Sequence, residues 1–112
     1  MRVRTFVQEA ELELNAGTNP AAVGAAVTVA LCGHWEHEGP CRWPHNNRID
    51  GQMFRTIFVA AVEEEEEIRR RIRDALRGNT EWMVKSDRAR EVSPGEAELA
   101  ARLLRAPRRP AV

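Results

Sequence analysis

The chain predicts an α+β domain in the order βαββαβ with an added terminal helix, and three observations carry that expectation. Four segments alternate with a period of two, and two longer segments between them carry apolar stripes at helical spacing. A proline inside the second alternating segment cannot donate to a sheet ladder, which confines that strand to an edge. An order of this kind, with the second strand at an edge and the first and third central, is the ferredoxin-like arrangement: a four-stranded antiparallel sheet with two helices on one face.

Residues 3–14 read as the first strand, with Phe6, Ala10, Leu12 and Leu14 on one face and Glu9, Glu11 and Glu13 on the other. Asn19 is a natural N-cap and Pro20 suits the first position of a helix. That helix runs over 21–31 with Val23, Val27, Ala30 and Leu31 buried, and Gly33 is placed to end it in the left-handed region. A strand over 41–49 contains Pro44, and Asp50-Gly51 turns it into the next strand, 52–61. There Phe54, Thr56, Phe58 and Ala60 share one face and Met53, Arg55, Ile57 and Val59 the other.

The second helix covers 62–77, with Ile68, Ile72, Ala75 and Leu76 on its stripe. Glu65–Arg69, Glu66–Arg70 and Glu67–Arg71 are acid-first pairs four residues apart, which support a helix and neutralise the arginine run. Gly78-Asn79 closes it, and a fourth strand follows over 81–90 with Trp82, Val84 and Ser86 on one face. Ser93-Pro-Gly-Glu96 is a capping box that opens a last helix reaching Leu104. Residues 1–105 therefore form one domain, with Phe6, Leu12, Val27, Phe58, Ile68 and Ile72 in a common core. The proline- and arginine-rich tail, 106–112, is expected to be disordered.

Composition removes several function classes. Seventeen basic residues balance seventeen acidic ones in 112, so no overall field favours nucleic acid or an acidic membrane surface. No apolar run approaches the roughly 18 residues of a membrane span. Glu9 and Glu11 follow the start too soon for a signal peptide, so the expected compartment is the cytoplasm, with both cysteines as thiols. Phosphate-binding loops of the GxGxxG and GxxxxGK[ST] types are absent.

The segment from Cys32 to His45 holds both cysteines, all three histidines and two of the three tryptophans. Thiol and imidazole are the preferred ligands of zinc and also serve as nucleophiles and bases. On a strand starting at residue 41, Cys41 and His45 would stand roughly 13 Å apart, too far to share one ion. The set expected to converge is therefore His34, His37 and Cys41, an open three-ligand site for zinc or another transition metal.

A second candidate surface is the sheet face away from the helices. Ile57 and Val59 would lie there beside Glu9, Glu11 and Glu13, and a central apolar patch of this kind calls for a cover. A second copy of the chain is the expected one, with the terminal helix or a small ligand as alternatives. The reading is a small cytoplasmic ligand- or metal-binding accessory protein acting as a homodimer. Its alternatives are a small enzyme using the Cys/His loop 32–45, and a protein interaction module with no small ligand.

Overall fold

The computed structural model describes residues 2–33 and 41–107. Strand β1 (Val3–Leu14) leads to helix α1 (Ala21–Cys32), then to strands β2 (His45–Asp50) and β3 (Met53–Ala61). A single 3-10 turn over Val62–Glu64 opens helix α2 (Glu65–Arg77), followed by strand β4 (Trp82–Arg90). A second 3-10 turn, Pro94–Glu96, opens helix α3 (Ala97–Arg105). The four strands form one antiparallel sheet in the order β2-β3-β1-β4, with β1 and β3 central and β2 at an edge.

Local chemistry explains most boundaries. Asn19 Oδ1 accepts the Ala21 N–H at 3.0 Å at the start of α1, and Gly33, at φ 86°, ends it by donating to Val29 O. Glu64 reaches back to the Ala61 N–H at 2.9 Å ahead of α2. Gly51 supplies the positive φ that the β2–β3 turn requires.

One boundary differs from expectation. Strand β2 starts at His45, not at residue 41, so Pro44 stands just ahead of the ladder. It contributes only its carbonyl, which accepts the Val59 N–H at 2.9 Å. A residue without an N–H fits the entrance to a strand better than its interior.

The helix-facing side of the sheet holds the main core, where Phe6, Ala10 and Leu12 of β1 and Phe54 and Phe58 of β3 meet Val23, Val27 and Leu31 of α1. Ile68, Ile72 and Leu76 of α2 close it from the other helix. A polar row crosses this face, because the register sets Gln8 opposite Thr56 and Thr56 opposite Asn47. Arg69, expected only as a partner of Glu65, is also buried. It donates to Val7 O at 2.7 Å and Gln8 Oε1 at 2.8 Å, and lies over the rings of Phe6 and Phe58. Of the expected helix pairs, Glu65–Arg69 (2.8 Å) and Glu67–Arg71 (3.4 Å) form, and Arg70 approaches Glu67 at 3.9 Å.

The outer face is covered within the chain. Ala100 of α3 seals Val7 and Ile57, with Leu99, Leu103 and Val92 packed around them. Glu96 fixes the start of that helix to the sheet. It bonds Arg90 at 2.7 and 3.1 Å and Arg55 at 3.0 Å, and accepts from Ser93 N and Oγ. Arg90 also reaches Glu9 at 2.8 Å, and Arg88 joins the same carboxylate. The Arg90 fork, assisted by Ser93, pulls the Glu96 carboxyl down to about 2, and Glu9 is lowered chiefly by the same arginine.

Candidate functional site

The Cys/His corner is assembled where α1 ends and the chain re-enters the sheet. Leu31 anchors the last turn of α1 in the core, which leaves Cys32 at the rim as its final residue. Past the undescribed stretch, Cys41 lies with its Cα 5.5 Å from that of Cys32, and the two form a disulfide. This corrects the expectation of two separate thiols. Compartment-based reasoning ignored that the fold returns residue 41 to the end of α1, within the 4.4–6.8 Å range a disulfide spans.

Trp43 holds the returning segment in place. Its indole is buried in the main core, and the guanidinium groups of Arg42 and Arg71 lie 4.6 and 4.8 Å from its ring. Arg42 also approaches Glu64 at 3.5 Å. With residues 41–44 fixed outside the ladder, the chain from Cys41 to His45 is not extended. The expected separation of roughly 13 Å therefore does not arise.

Instead the ligand atoms of Cys32, Cys41 and His45 lie within 4.8 Å of one another. Among the three residues expected to converge, only Cys41 is found in this cluster. His34 and His37 lie outside the described residues. His45, set aside on the strand assumption, takes a place in the site.

A chain of hydrogen bonds fixes the His45 ring. Its Nδ1 lies 3.0 Å from Trp43 O, and a carbonyl can only accept, so Nδ1 carries the proton. Its Nε2, 3.1 Å from Thr28 Oγ1, then accepts from that hydroxyl. Thr28 Oγ1 in turn accepts from Asn47 Nδ2 at 3.1 Å, and the same amide donates to Gly24 O at 3.0 Å. Glycine at position 24 permits this approach, since a Cβ there would stand 3.3 Å from the Asn47 Cβ. Asn47 Oδ1 and Thr56 Oγ1 are buried without a partner.

This arrangement has the parts of a metal site in the dithiol state. Tetrahedral bonds of 2.0–2.3 Å set ligand atoms roughly 3.3–3.8 Å apart, so the widest pair, at no more than 4.8 Å, would close by about 1 Å while the two bonded sulfurs would separate. A histidine that donates one ring N–H to a backbone carbonyl is the usual metal-bound form; here Nε2 would have to exchange the Thr28 hydroxyl for the ion. With the disulfide closed, neither sulfur is a thiolate, and that donor set is incomplete. Sequence reasoning missed His45 because it took residue 41 as the start of the strand. The available signal was Pro44 itself, which reads more simply as a strand entrance.

Among the described residues, no helix is long and apolar enough to cross a membrane. Comparison with protein-family models, curated proteins and solved structures found no match.

Proposed function

We propose that this is a small accessory protein of ferredoxin-like arrangement that binds a transition metal, zinc foremost, through Cys32, Cys41 and His45 when both cysteines are thiols. The observation that carries this reading is the clustering of three ligand atoms within 4.8 Å, joined to a histidine already held by Trp43 O. Support for the fold name comes from the strand order β2-β3-β1-β4 and from α1 and α2 packing in the same core. Cytoplasm remains the proposed compartment, because thiol ligands need a reducing medium. The reduced full-length chain should take up one zinc ion per molecule, read by elemental analysis after gel filtration. It should also give a thiolate charge-transfer band with cobalt(II). His45→Ala should weaken binding by 10-fold or more, and a reduced protein that retains no metal would refute the reading.

The homodimer belongs to the proposal too, and the outer face of α1 supports it better than the sheet face already under α3. From Asn15 to Gly33 the sequence carries no charged side chain. A helix apolar all round normally has more than one covered side. Val29 is 44% exposed beside a groove of about 650 Å³ lined by Ala22, Ala25, Ala26 and Trp82. In an antiparallel pair of α1 helices related by a two-fold axis at Ala25–Ala26, Val29 of each copy meets Ala22 of the other. An isologous contact requires this kind of self-matching spacing.

A further inference from the structure

We infer that the disulfide and the metal exclude one another, so that the corner takes up its ion on reduction and releases it on oxidation; this rests on the metal reading above. Two of the three clustered ligands are the sulfurs joined in the disulfide. Closing that bond consumes both thiolates and leaves the His45 ring as the remaining donor of the cluster. One imidazole nitrogen does not hold zinc against water and competing ligands. Opening the bond needs little rearrangement. The sulfurs move from a bonding distance of about 2.05 Å to roughly 3.7 Å, which side-chain rotation can supply while the backbone stays in place.

The chemistry balances with a thiol of the glutathione class as reductant and its disulfide as oxidant. Two such thiols convert the Cys32–Cys41 disulfide to two thiols and leave as one disulfide. A divalent ion then displaces two protons from Cys32 and Cys41. In the reverse direction the small disulfide takes up two electrons and leaves as two thiolates, Cys32 and Cys41 rejoin, and the divalent ion departs. The position of Cys32 favours this coupling. At the C-terminal end of α1 the partial negative charge of the helix opposes a bare thiolate. A cation beside Cys32 would offset that charge and favour the thiolate.

The two equilibria must then be linked. Zinc free at about 100 times its dissociation constant should lower the midpoint of the Cys32–Cys41 couple by about 59 mV, two tenfold steps of 29.6 mV each. The experiment equilibrates the full chain in buffers of oxidised and reduced glutathione, with and without zinc. Thiols are counted by alkylation and mass, bound zinc by a chromogenic chelator, and the fold by circular dichroism. One zinc released per disulfide formed, and a midpoint shift largely lost in His45→Ala, are the results expected. Zinc retained after the disulfide closes, or a midpoint indifferent to zinc, overturns the exclusion while leaving the metal reading intact. A reduced chain that binds no zinc, or that loses its sheet signal with zinc present, overturns both.

Discussion

The two faces of the sheet are closed by different physics. Toward α1 and α2 the seal is aliphatic and aromatic, with Phe54, Phe58, Ile68, Ile72, Val23 and Val27 almost wholly buried. Toward α3 the apolar patch is small, little more than Val7, Ile57 and Ala100. What holds α3 in place is a carboxylate, Glu96, gripped by two arginines. Apolar burial carries no titrating group, whereas ion pairs respond to pH and are screened by salt. This contrast predicts one side of the sheet that fails only with the whole domain and one that opens alone.

That contrast can be broken most directly in the main core. Ile72→Ala should cost about 3 kcal/mol, seen as a lower denaturation midpoint by every probe together. If that variant instead released α3 and left the transition of the main core unchanged, the division between the faces would be wrong. Next in size is the Cys32–Cys41 bond, which closes a short loop of sequence separation 9. Its reduction without metal should cost about 2.5 kcal/mol by the loop-entropy argument, and zinc should restore part of that. Glu96→Gln should cost about 2 kcal/mol, because it leaves Arg55 and Arg90 partly buried with a weakened partner. Hydrogen exchange should accelerate over 97–105 in that variant and stay unchanged in β3.

Acid sharpens the same point. Glu96 sits at about 2 in the folded protein against an ordinary 4.5, and Glu9 is lowered as well. A depressed folded value means that the stabilisation is full above about 4.5 and is lost as the pH falls toward 2. Amide signals of Val7, Ile57 and Ala100 should therefore shift in that window before those of the main core. Simultaneous loss of both sets would refute an independent α3. The smallest expected effect on stability is that of Val29→Asp, within about 0.5 kcal/mol for an exposed position. By sedimentation, however, it should convert a dimer to monomer if α1 is the interface.

Much of the fold was legible because patterning and punctuation agreed. Asn19, Gly33, Gly51 and the Ser93–Glu96 box mark element ends by mechanisms that act within a few residues, and each stands at a boundary of the structure. What the sequence hid is long-range. Arg69 shares a stripe with Ile68, Ile72 and Leu76, so its burial was implied by spacing. Its charge suggested solvent, and only the waiting Val7 carbonyl and Gln8 amide explain why it could leave water. At the Cys/His corner, Trp43 draws residues 41–44 out of the ladder. The site then depends on where a tryptophan packs, which local periodicity does not report. The cover over Ile57 was foreseen as a need, and within the chain α3, one of the alternatives, supplies it.

The bulge between β1 and β4 has a consequence for how molecules of this protein meet. Glu11 pairs with Ser86 and Leu12 with Val84, so Lys85 is the residue left over. It sits in the one long outer strand, whose neighbours Asp87, Arg88 and Arg90 are also charged. A lysine at a kink in a bordering strand repels a fifth strand, because the incoming backbone would strand that ammonium and find the ladder out of step. The opposite border is guarded as well, by the brevity of β2 and by Pro44 at its entrance. Neither margin of the sheet invites extension into a ribbon of stacked copies. Both borders are thus set against open-ended growth by added strands.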